Sequence, residues 1–140
     1  MLKFNALIPE LIVSNIERSL NFYLNILSFN LEYERKENKF AFLSLKESQI
    51  MIVERNGNWE TGDLVYPYGR GINLQMLTNN IDELYRNIER NNYPIKIEIQ
   101  ENWYRVGNKL VGQKEFLVLD PDGYLLRFAQ DIGEKEHTVE

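Results

Sequence analysis

Ile16, Leu20, Tyr23 and Leu27 recur at helical spacing and leave one apolar face that must be buried against something flat. Just ahead stands Ser14-Asn15-Ile16-Glu17, in which Ser14 can cap the Glu17 amide while Glu17 reaches back, so a helix is predicted to start there. Ala6 to Val13 is apolar and β-prone, and the opening reads strand, then helix. The same signature returns later in the chain. Asn80-Ile81-Asp82-Glu83 supplies a cap, Ile81, Leu84, Tyr85 and Ile88 supply the apolar face, and a short strand from Ile72 to Thr78 precedes them.

After the first helix, Leu31 to Arg35, Phe40 to Leu45 and Ile50 to Glu54 alternate or run apolar between turn-like breaks. After the second come Ile95 to Ile99, Glu115 to Leu119 and Tyr124 to Gln130. The last two are joined by Asp120-Pro121-Asp122-Gly123, where a proline at the second position and a closing glycine predict a tight hairpin. The pattern is an α+β fold of tandem βαβββ repeats forming a curled mixed sheet with helices on one side. It predicts a single domain over residues 1–131, with half-repeats at about 6–54 and 72–130 and a flexible tail over 132–140. Arg55 to Gly71 and Gln100 to Gln113 are left as long irregular segments, which in compact domains are usually functional or mobile. Both tryptophans, Trp59 and Trp103, fall in them, with Tyr66, Tyr68 and Tyr104.

Composition narrows the chemistry. A chain of 140 residues with 44% hydrophobic residues can build one proper core. There is no cysteine, which removes disulfides, thiolate nucleophiles and Cys-type zinc sites, and the single histidine is His137. No Ser-His-Asp arrangement follows from a histidine so near the end. The net charge of −5, without a Lys/Arg stripe, argues against nucleic acid as a partner. No apolar run approaches the roughly 20 residues that span a bilayer, and no secretory leader is visible, so no membrane partner and a cytoplasmic location are expected.

Three segments taken in order carry a family resemblance: Leu11 to Tyr23, Ile72 to Leu84, and Glu115 to Phe128 with its Asp-Pro-Asp-Gly turn. Together they resemble the glyoxalase/bleomycin resistance protein/extradiol dioxygenase superfamily, over about Ala6 to Asp131. The resemblance implies a cup lined by four positions that hold a divalent metal in the enzymes of that superfamily. Here those positions carry Ile8, Asn73, Glu54 and Arg127. Isoleucine cannot ligate, an amide oxygen is a weak ligand, and a guanidinium puts a permanent positive charge where a cation would sit. Glu54 alone cannot hold a metal, so no metal and no cofactor are expected. Glu54 is either a partner for Arg127 across the cup or a surface carboxylate at a strand end, with Arg127 then pointing into solvent.

Pro9 near the N-terminus, a tryptophan before the seventh strand and Arg-Phe after the turn make the chain most similar to the bleomycin resistance protein branch. That branch implies a homodimer that sequesters a planar or cationic aromatic ligand without catalysis, and Pro9 fits an arm exchanged between subunits or simply ends a leader. The expected ligand-binding residues are Trp59, Tyr66, Tyr68, Trp103 and Tyr104, with Phe40 and Phe42 on one strand face, and Glu54, Asn73 and Arg127 in the cup. Glu60, Asp63 and Glu101 either attract a cationic ligand or are ordinary solvated charges. Arg105 to Gln113, with two glycines and two cations, suggests a hairpin tip that alters or covers the groove. The alternative on the same fold is a glyoxalase- or dioxygenase-like enzyme using an atypical metal site or none. A third is an interaction module with an occluded groove.

Overall fold

The computed structural model describes residues 2–137. The described residues form two compact units, one of residues 2–72 with 120–124 and one of residues 73–119 with 125–137. Each contains a four-stranded mixed sheet and a helix, and the strand order and directions repeat.

In the first unit the strands are β1 (Glu10–Val13), β2 (Asn30–Arg35), β3 (Phe40–Leu45) and β4 (Ser48–Glu54), ordered β1-β4-β3-β2. β1 runs parallel to β4, and the other pairs are antiparallel. Only the last residues of the expected Ala6–Val13 strand enter the ladder, although the Pro9 carbonyl still accepts from the Met51 amide at 2.9 Å. Helix α1 (Ile16–Asn21) is capped by Asn15, whose side chain accepts from the Arg18 amide at 2.9 Å. The predicted cap, Ser14, is drawn elsewhere: its amide and hydroxyl donate to Asp122 at 2.9 and 2.5 Å. A π-helical turn over Phe22–Ile26 continues α1 and sends both Phe22 and Tyr23 into the interior. Strand alternation then divides β3: Ala41 and Leu43 lie on one face, Phe40 and Phe42 on the other, and all four are buried.

The Asp120-Pro121-Asp122-Gly123 turn belongs to this unit. Tyr23 donates to Asp120 at 2.7 Å, and the amides of Asp122 and Tyr124 donate to the same carboxylate at 2.9 Å each. Asp122 also takes Arg18 at 3.0 Å. Gly123 sits at φ +92°, and an added Cβ would lie 2.6 Å from the Pro67 backbone, so a glycine is needed there on both counts.

In the second unit the strands are β5 (Asn73–Leu77), β6 (Ile97–Val106), β7 (Lys109–Leu119) and β8 (Leu125–Glu136), ordered β5-β8-β7-β6, with β5 parallel to β8. Helix α2 (Ile81–Arg90) is capped as the sequence predicts. Asn80 accepts from the Glu83 amide, and its own side-chain amide donates to the Glu83 carboxylate at 2.8 Å. Ile81, Leu84 and Ile88 are buried, and Tyr85 meets Phe116 edge-on at 5.0 Å. The α2 side of the sheet therefore carries Phe116, Val118, Leu126 and Phe128, all fully buried, each contributing roughly 1.5–3 kcal/mol.

Two further boundaries differ from the sequence reading. The segment read as an irregular loop from Gln100 is a long β6–β7 hairpin paired from Ile97↔Leu117 to Val106↔Lys109, with Gly107 at φ +65° starting its two-residue turn. β8 likewise continues through Glu136 along β7, so Ile132–Glu136 are strand rather than tail. The His137 amide reaches the Asn108 carbonyl at 3.2 Å, and residues 138–140 of the expected tail lie outside the described residues.

Candidate ligand-binding site

Glu54 ends β4 beside the start of α1. Its carboxylate accepts from the Ile16 amide at 3.1 Å and from Lys39 at 2.8 Å. The Lys39 hydrogen bond, and then the Ile16 amide, hold its pKa below the usual glutamate value. Glu54 is thus a helix-end and lysine partner within its own unit, and Arg127 finds its partner, Gln75, within the second unit. Glu54 thus has a cationic partner in its own unit, whereas Gln75 offers Arg127 a neutral amide oxygen.

The aromatic candidates of the first unit separate. Phe40 and Phe42 form a buried cluster with Val53, over which Leu2, Ile8, Ile12, Tyr33 and Met51 pack. Tyr33 stacks on Phe42 at 5.3 Å, and Phe4 meets the same ring edge-on at 5.3 Å. Phe40 and Phe42 are both core residues, covered in part by Ile8, and Phe40 also borders a cleft. Tyr68 is held by its amide to the Asp122 carbonyl and packs edge-on against Tyr124 at 5.8 Å. Trp59 is 83% exposed and Tyr66 57% exposed in the same segment. Among the neighbouring charges, Glu60 is occupied by Arg55 at 2.9 Å and the Gly57 amide at 2.7 Å. A separate cleft of ≈ 330 Å³ lies against Leu20, Glu34, Lys36 and Phe40, of which sequence reasoning named Phe40 alone as a ligand contact.

The second unit assembles a polar site on the sheet face opposite α2. Register places Asn73 and Gln75 on β5, Arg127 on β8 and Glu115 on β7 on that face, with Asn102 and Tyr104 of β6 beside Glu115. Tyr104 donates to Glu115 Oε1 at 2.5 Å and the Asn102 amide donates to the same oxygen at 3.1 Å. The hydrogen bond to Glu115, with burial, raises the Tyr104 pKa, and Arg127 opposes the rise. Tyr104 therefore stands as a donor beside a guanidinium. Glu115 is only 3% exposed, and its Oε2 and the Nε of Arg127 have no hydrogen-bond partner.

Trp103 does not join this face. Neighbours on a strand point to opposite sides, and its ring lies over Gly112, with Lys135 stacked on it at 4.1 Å. Sequence reasoning found Asn73, Tyr104 and Arg127 but missed Gln75, Asn102 and Glu115. Glu115 had a readable signal: it is the one charge in the apolar run Glu115-Phe116-Leu117-Val118-Leu119.

The donor set does not fit a metal. Among the described residues no group of three His, Cys, Asp or Glu could hold one. Ile8 offers no ligand atom, Arg127 is a cation, and Glu54 is already engaged by Lys39 and the helix amide.

A family model described as Glyoxalase/Bleomycin resistance protein/Dioxygenase superfamily matches residues 5–128. A bleomycin resistance protein from Geobacillus stearothermophilus is 28% identical over 139 residues, covering 89% of this chain and 96% of that protein. A probable lactoylglutathione lyase from Synechocystis is 27% identical over 130 residues, covering 89% and 93%. The crystal structure of TioX from Micromonospora superposes with a TM-score of 0.71 at 15% identity, covering 92% of this chain and all of that one, which is a likeness of fold.

Proposed function

This chain belongs to the Glyoxalase/Bleomycin resistance protein/Dioxygenase superfamily, and from that premise we propose that it is a metal-independent small-molecule binding protein of bleomycin-resistance type. It works in the cytoplasm as a homodimer that sequesters a planar or cationic aromatic ligand. The observation that carries this reading is Arg127. It is a permanent cation on the sheet face opposite α2 in the second unit, hydrogen-bonded to Gln75, at the position where the resemblance puts a ligand carboxylate in the family's enzymes. The relatives named as bleomycin resistance proteins support it. No helix among the described residues is long and apolar enough to cross a membrane, which accords with a protein that meets its ligand in solution.

A second reading, an enzyme on the same fold, is favoured by one observation: the probable lactoylglutathione lyase is nearly as similar as the resistance proteins. The two are separated by a tryptophan-fluorescence titration of chelator-treated protein with bleomycin and a panel of planar cationic and neutral aromatics. Saturable binding at micromolar ligand without added metal is the expected result. No response to the panel, together with metal-dependent formation of S-lactoylglutathione from glutathione and methylglyoxal, would establish the enzyme instead.

A further inference from the structure

We propose that the face of the second unit opposite α2 carries a ligand-anchoring subsite in which Glu115 Oε2 and Arg127 Nε together grip one planar head that presents an N–H donor beside an acceptor oxygen, as a carboxamide, lactam or ureide does. This rests on the reading that the chain binds a small molecule, and it names the chemistry that the site selects.

Glu115 is nearly fully buried, and both of its protein donors, Tyr104 and Asn102, converge on Oε1. Oε2 is left without a partner, as is Arg127 Nε. A buried polar atom without a partner is costly, and a charged one more so, so a bound head that supplies both partners relieves that cost. Leu117 lies opposite Arg127 in the β7–β8 register, and Glu115 is two residues further along the same face. The two groups are therefore diagonal neighbours, at a spacing of about 7–8 Å between Cα atoms. One small planar head is long enough to reach both atoms across that spacing. A carboxylate and a guanidinium sum to no net charge. A cationic head would satisfy Glu115 and face Arg127, an anionic head the reverse, and a neutral donor–acceptor head satisfies both. The Tyr104 ring, 41% exposed on the same face, offers the flat surface against which such a head lies.

Benzamide, benzoate and benzamidinium share one shape and differ in this chemistry, so they form the test. Each is titrated into the full chain while the Arg127 Nε–H resonance, assigned by its loss in Arg127→Lys, is followed by NMR. Benzamide is expected to shift that resonance saturably and to bind about tenfold more tightly than either charged analogue. Glu115→Gln is expected to reduce benzamide affinity about tenfold. Should that variant not fold, the ranking on the wild-type protein decides alone. An unmoved Nε–H resonance, or benzoate or benzamidinium binding as tightly as benzamide, would overturn the subsite. If the planar panel binds and benzamide does not, the subsite is wrong and the binding-protein reading stands. If benzamide ranks first and the panel fails, the anchor stands and the proposed ligand class is wrong.

Discussion

Asp120 is 1% exposed and accepts from Tyr23 and from the amides of Asp122 and Tyr124. Burial pushes its pKa from 3.8 up to about 6, against the opposing pull of those three donors. A carboxyl whose folded pKa lies above its unfolded value holds its proton more tightly in the folded state. Its stabilisation is fully present below the unfolded value and is lost as pH rises through about 6. The displacement corresponds to about 3 kcal/mol. Asp120→Asn has no such titration, so its melting temperature should fall furthest behind wild type near about pH 4 and regain ground by about pH 7. Melting curves of both proteins across that range check it. A gap that stays constant or widens with pH would show that burial does not control this carboxyl.

The β6–β7 hairpin shows at the level of elements where the chain was legible and where it was not. Helix faces, the Asn80 cap, the Asp-Pro-Asp-Gly hairpin and the repeated strand order could all be read, because each follows from a local period or a turn requirement. β6 could not. Glu98, Gln100, Glu101 and Asn102 give it no apolar alternation, since one face is the polar site and the other is half solvated. Reading Trp103 and Tyr104 as loop residues let both line one groove, whereas a strand forces them to opposite faces. Phe40 and Phe42 were correctly put on one face, but the segment that covers it, around Leu2, Phe4 and Ile8, carries no periodic signal. Gly112 fixes the Trp103 side of the hairpin, because a Cβ there would lie 2.7 Å from the indole and 2.9 Å from Ile132. Gly112→Ala should cost about 1–3 kcal/mol and dislodge the ring from Lys135. Trp59 is already solvated, so the change should appear as a red shift in emission from Trp103 together with a lower melting temperature. An unshifted spectrum at wild-type stability would mean that the hairpin yields elsewhere.

For the whole molecule, the apolar surface left bare is what bears on assembly. Leu7 is 82% exposed within a segment whose neighbours, Phe4 and Ile8, reach the Phe42 cluster, and Val65 and Ile72 are each 63% exposed. Isolated exposed apolar residues are ordinary, but several in two segments of one unit give a second copy something to bury, and a stable interface needs roughly 800 Å² per partner. The net charge of −5 opposes association only at long range, where salt screens it. Light scattering at about 10 μM should therefore give a mass twice 16.6 kDa, with the dimer fraction rising as salt is added. Leu7→Asp replaces a side chain that one chain leaves in solvent, so it should preserve the melting transition while shifting the mass to that of one chain. A wild-type mass of 16.6 kDa at that concentration would remove the dimer, and any groove shared between subunits would go with it. The Glu115–Arg127 anchor would survive that result, since every residue it uses comes from the second unit of a single chain.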